Sequence, residues 1–368
     1  MKNIYNKSLN IIFNMIRLLE MLKNIIFEKL YIIKRKNQYS SCMLAKDEKQ
    51  ALDEFWKKAY GRKIPDRWHR LYKSFSTKFD EKFFPAYLYS IHLEDKLNPW
   101  SYCKVLSDKN LLNTLFSDSV YCPDVYAMAC DGIFWGKEKT VCSYNELIEQ
   151  LRNIGKVVIK ETVGSSSGKG VQICDFCDGV DTISGQSVKD IVSMFYPNFN
   201  IQKCIEQSDE ISAIYSGSLN TCRVITYIAN DKIHCAPLTM RIGRGGKFVD
   251  NIHSGGLVIG LENDGSLKEF AYLESGERFD KHPDTDFKFA GYRVNGADRL
   301  IDTALKLHAK VPQLGMISWD FAIDKNHHPV LIEMNLRGQS VWFAQMTHGK
   351  GIFEENTDYM IGLIKRRK

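Results

Sequence analysis

The sequence predicts a mixed helix-and-strand protein, helical over its first hundred residues and built of short strands and turns beyond. Three observations carry this. A long amphipathic pattern occupies residues 3–36. A β-branched run closing on a lysine, Val157-Val158-Ile159-Lys160, leads into a Gly/Ser-rich stretch and a second such run, Val171-Gln172-Ile173-Cys174. Near the C-terminus two apolar runs, 317–324 and 329–335, flank the turn signal Asp324-Lys325-Asn326-His327-His328.

The N-terminal pattern has a polar stripe of Lys7, Asn10, Asn14, Arg17, Asn24 and Glu28 at helical steps, and apolar residues such as Met15, Leu19, Leu22, Ile26, Leu30 and Ile33 fill the rest. Arg17, Glu20 and Lys23 interrupt it, so no run approaches the ~18–20 apolar residues of a membrane span. The same charges and the lack of a small-residue cleavage site make it a poor signal peptide. Two readings stand. The helix packs on the body or a second subunit, or it lies at a membrane interface with Lys34-Arg35-Lys36 near lipid head groups.

Charge is placed unevenly. Of 50 basic and 44 acidic residues, eight basic and two acidic fall in residues 1–38, which accounts for the whole net charge of +6. The rest is balanced at 42 each, which argues against a nucleic-acid-binding body. Ten scattered cysteines read as reduced cytosolic thiols. Cys174 and Cys177 form a lone Cys-x-x-Cys with no second pair at zinc spacing, so they read as structural thiols. The expected location is the cytoplasm, with peripheral contact at the inner membrane face through residues 1–38.

A length of 368 residues suits two or more subdomains. Residues 45–95 are helical in pattern and rich in aromatics, which read as core. No Gly-x-Gly-x-x-Gly fingerprint occurs here. Asp108-Lys109 opens a helical stretch, 110–116. Ser143 caps another, with Glu146 completing a capping box.

Between Lys160 and Val171 lie three glycines and three consecutive serines. A strand–loop–strand hairpin of this kind can fold over a nucleotide, because glycine permits close backbone approach to phosphate. It can equally be only a turn. It is not a Walker motif, since the required spacing is absent and a strand follows. Residues 201–207 read as a strand that runs past adenine and ribose with Glu206 toward a hydroxyl, or as a sheet strand with a solvated end. In the acidic hairpin, pairing across a turn near 326–327 places Asp320 opposite Glu333. Asn335 shares the face of Glu333, two residues away. Such hard oxygen donors, with no Cys or His, suit Mg²⁺ or Mn²⁺. Arg223, Arg241 and Arg244 enter the strands between, followed by Asp250-Asn251 and Gly255-Gly256.

Taken in order, Val-Ile-Lys160, the loop 164–170, Glu206-Gln207, Asn220-Thr221-x-Arg223, Arg241, Asp250-Asn251-x-x-x-Gly255-Gly256, and Asp320 with Glu333-x-Asn335 resemble the ATP-grasp superfamily. The likeness spans about 108–350 and is strongest to the sugar-transfer-associated branch found with polysaccharide biosynthesis. The resemblance implies an α+β fold in which two α+β subdomains grip ATP between antiparallel sheets, here behind a helical N-terminal region. It implies that Lys109, Lys160, Ser165, Ser166, Ser167, Gly168 and Gly170 bind nucleotide, with Glu206-Gln207 as the adenine hinge. Arg223, Arg241 and Asn251 are the implied catalytic residues, and Asp320, Glu333 and Asn335 hold magnesium. Residues 101–155, 156–210 and 211–368 become the start of the unit, its lid and its C-terminal subdomain, after a helix at 1–38 and a helical region at 39–100. The Rossmann-like domain usual before the ATP site is not legible. The implied reaction joins a carboxylate, such as a sugar or glycan acid, to an amine through an acyl phosphate. The alternative is phosphoryl transfer from the same ATP site to a hydroxyl, and a non-catalytic nucleotide-binding scaffold is a third reading.

Overall fold

The computed structural model describes residues 2–164 and 170–366. In the N-terminal helix it describes side chains at 15, 18, 19 and from 21 onward. The loop residues Ser165, Ser166, Ser167 and Gly168 lie outside the described residues, as do the side chains of Lys7, Asn10, Asn14 and Arg17. The chain forms two units, one of residues 1–99, 229–232 and 337–368, the other of 100–228 and 233–336. The C-terminal segment thus groups with the N-terminal helices, unlike the expected 211–368 subdomain. One cause is Gln345, which accepts from Phe84 N at 2.7 Å and donates to Phe84 O at 3.0 Å.

The first unit is helical, with Lys2–Lys34, Lys46–Tyr60 and Arg67–Ser76 as its longer helices. The aromatic-rich stretch supplies its core: Trp56, Tyr72, Phe75, Phe83 and Phe84 are buried. His69 is enclosed by these rings, and burial pushes its pKa down to about 3. The helix Lys2–Lys34 docks through one face. Asn24 Nδ2 donates to Ser90 O at 3.3 Å, and Glu28 Oε1 accepts from Ser90 Oγ at 2.9 Å. Arg35 is buried with its guanidinium 3.4 Å from the Tyr31 ring centroid. The aromatic face holds it, so it is not exposed as Lys34 and Lys36 are and does not fit the expected head-group role.

The second unit carries two antiparallel sheets. The first is formed by β1 (Val125–Cys130), β2 (Ile133–Trp135), β3 (Val141–Cys142), β4 (Gly155–Glu161), β5 (Val171–Cys177), β6 (Val180–Asp181) and β7 (Phe199–Lys203), in the order β3-β2-β1-β7-β4-β5-β6. The helices Tyr144–Leu151 and Val188–Phe195 cover one face. The first is capped as its sequence predicts, with Ser143 N donating to Glu146 Oε2 at 2.7 Å and Glu146 N to Ser143 Oγ at 3.3 Å. Strand alternation then sorts side chains. Val157, Ile159, Phe199 and Ile201 pack under the helices. Lys160, Asn200 and Gln202 take the other face, with Lys160 paired to Asn200 and Val158 to Gln202.

The second sheet comprises β8 (Thr221–Ala229), β9 (Lys232–Cys235), β10 (Leu238–Ile242), β11 (Leu257–Leu261), β12 (Leu267–Tyr272), β13 (Arg278–Phe279), β14 (Met316–Ile323) and β15 (Pro329–Asn335). Its order is β13-β12-β11-β10-β8-β14-β15, with β9 on β8. Val224, Met240, Ile259, Trp319 and Phe321 enter one core with Leu300, Ala304 and Leu307. The alternate residues Arg223, Arg241 and Asp320 share the opposite face. The β14–β15 register pairs Asp320 with Glu333 and Ser318 with Asn335, as the hairpin spacing predicts. Nearer the turn the register shifts, with Phe321 opposite Leu331. The extra residue is Ile332, a bulge that turns Glu333 onto the face of Asp320.

Candidate active site

Four neighbouring strands, β15, β14, β8 and β10, carry a charged ladder on one face. Asp320 on β14 lies opposite both Glu333 on β15 and Arg223 on β8. Arg223 grips Asp320 with two parallel bonds, Nε to Oδ1 and Nη2 to Oδ2, each 2.8 Å. This fork geometry gives strong charge-assisted pairing. Arg241 Nη2 reaches Oδ2 of the same carboxylate at 3.0 Å, and Asn335 Nδ2 donates to it at 3.1 Å. Burial works against the charge on Asp320, but Arg223 and Arg241 outweigh it and hold its pKa at about 2.

Arg241 is held from a second side. Its Nε and Nη2 donate to Thr221 Oγ1 at 3.0 and 2.6 Å, and its Nε lies 3.5 Å from Asp250. Thr221 in turn donates to Asp250 through its hydroxyl and through its backbone N at 3.1 Å. Burial tends to neutralise Arg241, but Asp250, Asp320 and Glu333 more than offset it and raise its pKa. For Asp250 burial wins over Arg241 and Thr221, so its pKa rises. Asp250 is placed by a tight turn in which Gly256 N donates to Asn251 O at 2.9 Å. A Cβ at Gly256 would meet Asp250 O at 2.5 Å, so only glycine closes this turn.

The other wall is the open face of the first sheet. Lys160, Asn200 and Gln202 line a small polar cavity together with Lys109, Leu331 and Ile332. Burial lowers the Lys160 pKa to about 8, with Glu333 opposing the shift and Lys109 adding to it. Asn200 is buried and, among the described residues, its Oδ1 has no hydrogen-bond partner. Lys109 is fixed by its backbone N, which donates to Thr162 O at 3.2 Å, and its Nζ lies 3.1 Å from Glu333 Oε1. Gly170 closes the loop at φ +68°, where an added Cβ would lie 2.5 Å from the Glu161 side chain.

The structure thus brings Lys109, Lys160, Arg223, Arg241, Asp320, Glu333 and Asn335 together. Three expected residues stand apart from them. Asn251 spends Oδ1 on His253 N at 2.8 Å, inside its own turn, and Asp250 enters the network in its place. Glu206 is exposed and paired with Lys325 at 2.6 Å. Gln207 is buried, with Nε2 donating to Tyr215 O and Ser218 O and Oε1 accepting from Asn220 N at 2.9 Å, so its amide organises a loop. Asp250 and Thr221 stand in the sequence motifs without a role assigned to them, and no sequence motif marks Asn200 and Gln202. Strand alternation alone would have found the last two once β7 is paired with β4.

Asn335 turns its nitrogen toward Asp320 and Ser318 O, which leaves Oδ1 as a donor to metal. Glu333 remains partly exposed. Asp320 Oδ1 accepts from Arg223 Nε, while Oδ2 takes the remaining donors, so Oδ1 retains an acceptor direction. The set is all oxygen and fits a hard divalent ion, although two guanidiniums already neutralise Asp320.

A family model described as sugar-transfer associated ATP-grasp matches residues 88–359. The chain belongs to this family. Its helices and two antiparallel sheets are the family's ATP-grasp fold. No curated protein matches the chain. Among solved structures, it is similar to N5-carboxyaminoimidazole ribonucleotide synthetase from Thermotoga maritima, at 11% identity and TM-score 0.36 over 66% of this chain and 45% of that one. It is similar to a biotin carboxylase complex from Campylobacter jejuni, at 15% and 0.42 over 71% and 46%. For D-alanine–D-alanine ligase from Bacillus anthracis the values are 13% and 0.38 over 70% and 66%. The chain spans less than half the length of the first two. Among the described helices of this ATP-grasp protein, none is long and apolar enough to cross a membrane.

Proposed function

We propose that the protein is an ATP-dependent carboxylate–amine ligase acting on a carboxylated sugar or glycan in cell-surface polysaccharide synthesis. The observation that supports this is the charge balance of the site. Lys109, Lys160, Arg223 and Arg241 surround Asp250, Asp320 and Glu333, leaving an excess of one positive charge before any ligand binds. That suits a polyanionic nucleotide carrying its divalent ion.

In this reading Lys160 binds the α- and β-phosphates as a point charge. Glu333, Asn335 and Asp320 would hold magnesium, which neutralises phosphate charge when bound. Arg223 and Arg241 face the transferred phosphoryl group, and the carboxylates behind them fix their orientation before charge develops. A substrate carboxylate oxygen attacks the γ-phosphorus as its bond to the bridging oxygen breaks, giving an acyl phosphate and ADP. An amine nitrogen then attacks the acyl carbon, phosphate leaves, and the nitrogen gives its proton to solvent. The chain supplies positioning and charge, and no nucleophilic side chain is required.

The test is incubation with Mg-ATP, a panel of uronic and amino acids, and hydroxylamine. A hydroxamate formed in step with ADP supports the ligase. ADP accompanied by a phosphorylated alcohol and no hydroxamate would assign phosphoryl transfer instead.

A further inference from the structure

Among its described side chains, from Met15 onward, the helix Lys2–Lys34 is docked on one face and exposed on the other. Glu28, Ile32 and Arg35 are turned inward and buried. Leu18, Leu19, Leu22, Ile26, Leu30 and Ile33 are each 45–64% exposed. Their spacing of three and four residues keeps them on one stripe, roughly 22 Å long at helical rise. A contiguous exposed apolar row of this size marks an interaction surface rather than ordinary surface scatter.

Charge identifies the occupant. Lys23, Lys29 and Lys34 are all exposed. At ~100° per residue Lys23 and Lys34 border one edge of the stripe, and Lys29 lies near the other. Glu28 is buried on the docked face, so it does not offset them. A second copy packed stripe to stripe would bring these lysines against their equivalents. A surface of acidic head groups over acyl chains would satisfy both the lysines and the leucines. The helix does not span such a surface, because it is not apolar enough to cross a membrane.

We propose that this stripe lies in the interface of an anionic lipid bilayer, with its leucines and isoleucines among the acyl chains and its lysines at the head groups. The docked face holds the helical unit to the helix, so the stripe anchors a folded protein rather than a loose tail. The inference is independent of the nucleotide reading and stands or fails apart from it.

The test is flotation of the full-length protein on phosphatidylcholine vesicles with and without phosphatidylglycerol. Flotation is expected only with phosphatidylglycerol, weakened by salt. Leu19→Ser, Ile26→Ser and Leu30→Ser together should reduce the bound fraction roughly tenfold. Lys23→Gln, Lys29→Gln and Lys34→Gln together should abolish the dependence on phosphatidylglycerol. Both variants change exposed residues, and an unchanged thermal melt checks that they fold. Absence of flotation, equal flotation on both vesicles, or a dimer in sedimentation that the serine variant dissolves would overturn the proposal.

Discussion

Two buried carboxylates in different regions show opposite solutions to the same problem. Asp320, in the ladder, meets two guanidiniums and an amide, and its pKa is held at about 2. Glu28, on the docked face of the N-terminal helix, has one hydroxyl donor on Oε1 and, among the described residues, no hydrogen-bond partner on Oε2. Burial raises its pKa from 4.5 to about 6, with Ser90 opposing the shift and Glu94 adding to it. The difference teaches where charge is wanted. In the ladder it is stabilised in advance, as the proposed role in holding phosphate and metal requires. Beneath the helix it is merely tolerated.

The largest effect should come from breaking the paired case. Asp320→Ala leaves Arg223 and Arg241 facing each other without their shared carboxylate, which should cost about 3–5 kcal/mol. Urea unfolding measures this. A loss under about 1 kcal/mol would mean that the guanidiniums reach solvent or Asp250 instead, and that the ladder is not a buried pair in energetic terms.

The unpaired case should respond with the opposite sign. Because the folded pKa of Glu28 lies above its unfolded value, its contribution is full below pH 4.5 and is lost as pH rises through about 6. Asp320 behaves conversely, contributing above pH 3.8 and failing as pH falls through about 2. Glu28→Gln removes the charge and keeps the shape. It should stabilise the protein by about 2 kcal/mol above pH ~7 and leave stability unchanged below pH ~4. Denaturant titrations of both proteins across that range provide the comparison. A difference that does not vary with pH would show that Glu28 titrates alike in the folded and the unfolded chain, so that burial does not raise its pKa.

Lys160 is the intermediate case, a cation at the site whose pKa burial lowers to about 8. Its partner in the proposed mechanism is the nucleotide. Lys160→Met should leave stability equal or higher, since a desolvated charge is removed. Affinity for an ATP analogue should fall at least about tenfold, or about 1.4 kcal/mol. Calorimetric titration separates the two effects. Intact affinity would remove Lys160 from the phosphate site.

What could be read in advance follows the range of the interaction concerned. The Asp320–Glu333 pairing follows from a turn centred near 326–327, although the pairs next to the turn keep a different register, and Lys160 is legible because a strand must end before its loop. The bulge at Ile332 is not, since Ile332 looks like any strand residue, yet it is what keeps Glu333 on the face of Asp320. Arg35 read as a head-group cation because Trp342, 5.2 Å from its guanidinium, is remote in sequence. Nothing local shows the Gln207 amide turned onto Tyr215, Ser218 and Asn220, which leaves only its main chain for the expected hinge. Local pattern gave register and face, and long-range contact decided which polar groups remained available.

The smallest effect tests one such decision. Asp250 and Asn251 are adjacent, and the motif alone does not choose between them. In the structure Asp250 accepts from Thr221 and lies beside Arg241, while the Asn251 side chain accepts from His253 N within the turn. Asn251→Ala should therefore cost only the turn contact, about 0.5–1.5 kcal/mol of stability, with ATP turnover within about twofold of wild type because no transition-state contact is lost. Asp250→Asn should act differently. It keeps an acceptor for Thr221 but removes the charge facing Arg241, so turnover should fall while the melting temperature changes little. If Asn251→Ala instead lowers turnover as far as Asp250→Asn does, the turn rather than the carboxylate is the unit that positions Arg241.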